Sequence, residues 1–536
     1  MAFAAAATAY LVVLHARYVT LAGPLWRDEA NTEGLSRLSS FGELWANLQY
    51  DSFPLLWHAL LRAFRVACPR PTESDLRILG GVVGLGLAAA IWVAARQLGN
   101  GPPVVSLPLL GLQAAVIAYG DSIRAYGLGM ATGILAFALL WRLADSARRS
   151  AVLPALVASL AAVHCLFHNV VVVGAAVVAG VAVAARRRDW RNAATVAGIG
   201  VTAALSMVPY AAPIRQAGAW NDTVRAPVTV RSLLAKLNET IAMSGEPMSW
   251  IWALLVLLSL ALAALAAVSP REGPTQTSRA ERTLYAGVAL AAAIAGYAAF
   301  LLLLSYPTQP WYYLALLGLA AACVETCLHG PLPAAVGEAA RLALGVGIVL
   351  VAAQPAWQAA GTRRTNVDVL AARIEREARA EDLIVVSPWY LGVTFERHYR
   401  GAAPWVSVPP IGFFTFHRYD VVRLRMADPQ AMEPVLREIR GRLERGRRIW
   451  WVGDSPPPRG PDAGAGRQAP LLTVPSAGRD ASDYARWNAE AGALLASAST
   501  RPEPVRVDVR SPVDPYERAL LWVIRSERPA AIPGAR

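Results

Sequence analysis

Between residues 3 and 357, apolar runs of roughly 17 to 25 residues recur, each bounded by polar turns and long enough to cross a hydrocarbon core about 30 Å thick. They predict roughly eleven spans, at about 3–22, 76–96, 103–120, 124–143, 151–167, 169–185, 193–210, 249–268, 284–304, 311–328 and 341–357. One further stretch, Phe53–Ala67, reaches only about 22 Å as a helix and is too short to span. Its polar residues His58, Arg62 and Arg65 fall at i, i+4 and i+7 and share one face, while Leu55, Leu56, Leu60 and Phe64 make up much of another. It is expected to lie along the membrane surface.

After about residue 360 the long apolar runs stop. The rest is charged and Pro-rich, with a predicted helix over Asn366–Arg379, strands over Leu383–Ser387, Arg448–Gly453 and Ala519–Arg525, and a helical piece over Gln430–Gly446. Ser455–Gly466 reads as a flexible connector. The expected fold is therefore mainly α. Residues 1–360 form a polytopic transmembrane bundle, with juxtamembrane helices in a first outer loop at 23–75, and residues 361–536 form a soluble α/β domain.

Composition sharpens this in two ways. The chain of 536 residues is 55% hydrophobic and 17% charged, with a mean hydropathy of +0.37, so lipid is its main solvent. Its net charge of +13 would suit nucleic acid, but the arginines sit in short turns between apolar runs and in the C-terminal region, which points to topology and surface charge and to no nucleic-acid partner. With the N-terminus in the cytoplasm, Arg96, Arg142, Arg148, Arg149, Arg186–Arg188, Arg191, Arg271, Arg279, Arg282 and Arg341 all fall in inside turns. An odd span count then makes the C-terminal domain extracytoplasmic. Met1–Gly23 lacks the basic start and cleavage site of a signal peptide and is expected to be retained as the first span. Cys68, Cys165, Cys323 and Cys327 lie in or beside apolar helices and make no disulfide or zinc framework. Asn221–Thr223 and Asn238–Thr240 match a glycosylation pattern too short to carry weight in a chain whose Ala- and Arg-rich usage looks bacterial.

The polar residues that remain gather on the outer turns. Trp26-Arg27-Asp28-Glu29-Ala30-Asn31 sets two carboxylates just past the first span, where partial desolvation suits a general base, a metal ligand or a sugar-binding group; a solvated helix start is the plain alternative. The order that follows, two short amphipathic stretches over Thr32–Leu38 and Phe41–Tyr50, then Asp51-Ser-Phe-Pro-Leu-Leu-Trp57 and the basic-faced helix, resembles the first outer loop of the GT-C membrane glycosyltransferases. The branch it resembles holds the protein O-mannosyltransferases and the lipid A aminoarabinose transferases. Phe53-Pro54-Leu55 stands where that family has two prolines, and Ser52 near its His or Lys. Tyr119–Tyr126 resembles the family's Arg-x-Tyr turn, His164–Asn169 its His-containing turn, and Pro310–Tyr313 its late Arg-Tyr segment without the arginine.

The resemblance implies an inverting glycosyltransferase that takes a sugar from a polyprenyl-phosphate donor to a lipid, glycan or protein acceptor at the outer face of a bacterial inner membrane. Asp28 would be the base, with Glu29 beside it. Arg62, Arg65, Arg124 and His58 would meet the donor phosphate, where headgroup snorkelling is the plain reading of Arg62 and Arg65. Asp121, Tyr126, His164, His168, Tyr312 and Tyr313 would line the substrate. His164 and His168 lack a third ligand at metal spacing, so no cofactor is implied and a divalent ion stays open. A transporter or lipid flippase is the alternative, against which the chain has no matched pair of Gly/Pro-broken spans.

Overall fold

The structure, a computed structural model, describes residues 1–145, 149–220, 228–268, 274–329, 334–458, 479–498 and 500–526. Arg148, Arg271, the Asn221–Thr223 pattern and the expected connector from residue 459 onward lie outside the described residues. Two compact units emerge. A membrane unit comprises Met1–Leu21, Ser52–Ala212 and Val228–Gly361, and an α/β unit comprises Ala22–Asp51, Pro213–Pro227 and Thr362–Arg536.

Among the described residues of the chain, nine helices are long and apolar enough to cross a membrane. Each overlaps one of the expected spans. The other two expected spans are present in altered form. Val152–Cys165 is an apolar helix of 14 residues, and 103–120 is a pair of short helices, Ser106–Gly111 and Ala114–Gly120, broken at Gln113. A broken helix at membrane depth frees backbone groups that lipid cannot satisfy. Here the break is buried and patched by the end of the helix Val230–Ala242. Gln113 Nε2 donates to the carbonyls of Thr240 and Ile241 at 2.8 and 3.2 Å, and Ala114 N donates to Ser244 Oγ at 2.7 Å.

The arginine turns meet one another at one end of this bundle. Arg142 donates to Gln97 Oε1 at 2.9 Å, Arg282 to the Leu98 carbonyl at 2.7 Å, and Arg186 to that of Ala267 at 3.0 Å. Arg187 pairs with Asp145 and Glu281. Guanidinium groups placed on the last carbonyls of helices satisfy acceptors that the helix leaves open. The tightest knot is Glu325, 1% exposed, which pairs with Arg341 and accepts the N–H groups of Val105 and Ser106 at 2.9 and 2.7 Å.

In the α/β unit, five strands, β1 (Leu383–Ser387), β2 (Trp405–Ser407), β3 (Ile449–Gly453), β4 (Thr500–Pro504) and β5 (Leu520–Ser526), form one sheet in the order β2-β1-β3-β5-β4. β1 is parallel to β2 and β3, while β5 is antiparallel to β3 and β4. Both faces are covered, which is why β1 and β3 read as unbroken apolar runs. Ile384, Val386, Trp450 and Val452 face the helices Val367–Glu377 and Leu391–His398. Leu383, Val385, Ile449 and Trp451 face Glu433–Glu444 and Arg479–Ser497.

Ala22–Asp51, the first part of the loop expected within the transmembrane module, belongs to this α/β unit, and the loop from Ser52 onward belongs to the membrane unit. The helix Arg27–Ser36 is polar, yet every residue from Glu29 to Ser36 is buried. Some of its polar groups are met within residues 26–51 and others far along the chain, at Arg397, His417 and Glu517. Gly34 is needed at the closest approach, because a Cβ there would strike the Thr415 carbonyl oxygen.

Removing the Glu325 carboxylate would leave Arg341 and two backbone donors buried without their acceptor. Glu325→Ala should therefore destabilise the detergent-solubilised chain by about 3–5 kcal/mol, read as a lower unfolding midpoint. An unchanged midpoint would mean that water reaches this knot.

Candidate functional site

The acidic pair divides. Both carboxylates sit in the first turn of Arg27–Ser36, where the helix dipole favours negative charge. Glu29, fully buried, turns back to accept the Trp26 N–H at 3.2 Å and so closes the helix start. Asp28 keeps 21% of its side chain accessible and faces Arg27, Nε to Oδ1 3.7 Å. Further along, Glu33 accepts from Arg37 and Arg397 at 2.8 Å each, Asn31 Nδ2 donates to the Tyr50 carbonyl at 3.2 Å while its Oδ1 accepts from His417 N at 2.7 Å, and Thr32 donates to Asp51 at 2.6 Å.

Arg27 ties Asp28 to the C-terminal strands. Its backbone N–H donates to Glu517 Oε2 at 2.6 Å and its Nη1 to the Tyr516 carbonyl at 2.5 Å, while its guanidinium lies over the Tyr390 ring, 4.5 Å from the centroid. Glu517 is 2% exposed, and Thr394 Oγ1 donates to its Oε1 at 2.6 Å. Burial pushes the Glu517 carboxyl up to about 7, a rise strengthened by Asp28 and opposed by Arg27 and the Thr394 hydrogen bond.

The membrane unit carries a second constellation. Arg124, 4% exposed, lies over the Phe53 ring at 4.3 Å and near that of Tyr126 at 5.9 Å, and the two rings meet edge-on at 5.1 Å. This joins the Asp121–Tyr126 turn to the segment that opens the helix Leu55–Ala67. That helix has 13 residues and spans about 20 Å. Trp57, His58 and Leu61 are buried, Arg62 and Arg65 half-buried, and Leu60, Ala63, Val66 and Ala67 exposed. An inward polar edge and an outward apolar edge suit a helix lying at a lipid surface.

Tyr210 fastens the same end. Its hydroxyl accepts the Leu55 N–H at 3.3 Å, which leaves its proton for His164 Nδ1 at 2.9 Å and makes His164 Nε2 the donor to Ser206 Oγ at 3.1 Å. Phe167 packs on Tyr210. His168 is half-buried, with its Nε2 enclosed and its ring 5.8 Å from that of Tyr297. Trp311 packs on Tyr119 at 4.9 Å. Tyr313 bonds Thr308 and donates to the Leu233 carbonyl at 3.1 Å, and Tyr312 stays half-buried beside Tyr306. Within this unit the sequence-expected turns therefore share one end of the bundle, opposite the arginines. His164 and Tyr313 have positioning partners there. No cluster of three metal-type ligands occurs among the described residues.

Two residues escaped the sequence reading. His15, inside the first span, has Nδ1 2.6 Å from Asp121 Oδ2, and both are buried. Arg77, 1% exposed, lies over the Tyr18 ring at 5.7 Å and has Nη1 3.4 Å from its hydroxyl, which bonds the Ala118 carbonyl at 3.3 Å. The available signals were an ionisable residue within an apolar run and the spaced glycines Gly80 and Gly84. A Cβ at Gly84 would strike both the Asp121 carboxylate and the His15 ring.

A carboxyl raised by burial keeps its proton in the folded chain where the unfolded chain has lost it, so stability falls as pH climbs from about 4.5 to about 7. Glu517→Gln should flatten that part of a stability-versus-pH profile. Equal slopes in the variant and the parent would assign the dependence elsewhere.

No family model matches the chain, and no curated protein matches it. Among solved structures it is similar to ArnT from Cupriavidus metallidurans bound to undecaprenyl phosphate, at 14% identity and a TM-score of 0.47, covering 84% of this chain and 92% of that one. It is also similar to the same protein in the apo state, at 13% identity and 0.46, with the same coverage.

Proposed function

We propose that the chain is an integral membrane glycosyltransferase of the GT-C type, which moves a sugar from a polyprenyl-phosphate donor to a lipid, glycan or protein acceptor. The observation that carries the reading is the division within the acidic pair. Glu29 and Glu33 are sealed into hydrogen bonds, while Asp28, in the same buried helix, keeps an accessible face beside a guanidinium. The donor class comes from the resemblance of the first loop, and the proposal rests on these residues and not on overall likeness to solved structures.

Asp28 takes the proton of the acceptor hydroxyl as that oxygen bonds to the anomeric carbon. The carbon's bond to the phosphate oxygen breaks from the opposite side, so configuration inverts, and the polyprenyl phosphate leaves with the electron pair. Arg124, with Arg62, Arg65 and His58, meets the phosphate. The Arg124 guanidinium, stacked on Phe53, is of the planar kind that matches phosphate oxygens in pairs. Tyr126, Asp121, His164, His168, Tyr312 and Tyr313 shape or support the substrate end. A transporter or flippase reading draws on the buried His15–Asp121 pair, since ionisable residues within spans often mark a path; sugar transfer by the purified chain would decide between the two.

Asp28→Asn keeps the shape and removes the basic oxygen, so transfer should fall about 10²- to 10⁴-fold with insertion unchanged. Near-normal turnover would move the base to another carboxylate. Arg124→Gln should instead raise the KM for donor, and higher donor should restore part of the rate. The acting face is proposed as extracytoplasmic. A phosphatase reporter fused after Arg536 should therefore be active, and a fluorescent cytoplasm-folded reporter at that point would reverse the assigned topology.

A further inference from the structure

The sheet of the α/β unit has a switch in winding at β1. From β1 the chain passes through Leu391–His398 to β2 on one side, and it then returns to β3 on the other. Leu391 and Phe395 cover one face of the sheet, whereas Arg479–Ser497, which follows β3, covers the opposite face with Trp487 and Leu495. Neighbouring parallel strands thus send their outgoing loops to opposite faces. Ser387 and Gly453 are paired in register, so the carboxyl ends of β1 and β3 lie side by side at the switch point, the place where open α/β sheets form a crevice and take ligands.

The side chains at that place are of one chemical kind. Trp389 and Tyr390 leave β1, Asp454 leaves β3, and Tyr484 comes from the following helix with its hydroxyl 2.7 Å from Ser387 Oγ. Tyr390 Oη donates to Asp454 Oδ2 at 3.1 Å, while the buried Oδ1 accepts no hydrogen bond among the described residues. Tyr419 meets Trp389 edge-on at 5.6 Å. Aromatic walls with a carboxylate and phenols between them fit a ring that is apolar on its faces and hydroxylated at its edge. The crevice also adjoins the base. Arg27 lies over Tyr390 on one side and faces Asp28 on the other.

We infer that this crevice is the acceptor subsite and that it binds a saccharide ring. The inference rests on the glycosyltransferase reading, because a group set beside the base belongs to the molecule whose hydroxyl the base deprotonates. Asp454 Oδ1 takes a ring hydroxyl, Tyr390 orients that carboxylate, and the aromatic side chains flank the ring.

Saturation-transfer NMR on the purified full-length chain in lipid nanodiscs tests this with methyl glycosides of hexoses, aminohexoses and pentoses, with phosphoserine as an unrelated anion. At least one methyl glycoside should show transfer, and Asp454→Asn and Tyr390→Phe should each weaken its binding by about tenfold, the loss expected from one hydrogen bond to a charged group. Asp454→Asn, which keeps an acceptor for the Tyr390 hydroxyl, should unfold at the parent's midpoint. Binding of phosphoserine alone, binding of no glycoside, or equal binding by parent and both variants would overturn the subsite. Glycoside binding by a chain that transfers no sugar from any polyprenyl-phosphate donor would leave the subsite standing and remove the function it was assigned to.

Discussion

A polar helix cannot be buried unless each of its polar groups is met, and Arg27–Ser36 is both polar and buried. That requirement organises the α/β unit. Asn31 needs the backbone at Tyr50 and His417, Glu33 needs Arg397, and Arg27 needs Glu517 and the carbonyl of Tyr516. The loop after the first span, the region around β2 and the approach to β5 are thereby drawn to one helix. An apolar helix could have slid or rotated against the same sheet. Hydrogen bonds with defined directions fix its register, and with it the direction in which Asp28 is presented.

The membrane unit answers a related constraint by other means. Lipid offers no hydrogen bonds, so its polar groups collect where the chain turns, and they pair with one another there. At one end arginines hold helix-terminal carbonyls and buried carboxylates; at the other, tyrosines, histidines and Arg124 interlock with rings and hydroxyls. The buried break at Gln113 stays at membrane depth because protein groups replace what lipid cannot supply.

What the sequence disclosed follows the range of each force. Hydropathy is local, so the positions of the nine long apolar helices among the described residues were legible, while the break at Gln113 and the shortness of Val152–Cys165 were not; β1, β3 and β5 were legible from their Val, Ile, Leu and Trp runs. β4 was not legible, because its two prolines argue against a strand except at an edge, where it lies. β2, at three residues, is too short to leave a pattern. The acidic pair could be picked out, and the resemblance favoured Asp28 as the base, but the burial of Glu29 could not be read, since its bond from Trp26 N depends on the cap that actually forms. The assignment of Ala22–Asp51 to the α/β unit was invisible for the same reason as Glu517: nothing near residue 27 announces a partner close to the other end. His15 announced itself only as a lone polar residue in an apolar run, and its meaning depended on Asp121, 106 residues on.

The bond between Arg27 and Glu517 joins residues 490 positions apart. At a synthesis rate of roughly 5–20 residues per second, the helix that bears Asp28 is made on the order of a minute before its last partner. During that interval the polar groups of this helix are without the distant partners that meet them in the folded unit. A chain that stops between the last span and residue 517 therefore carries the membrane helices complete but leaves Arg27 without its acceptors at Tyr516 and Glu517.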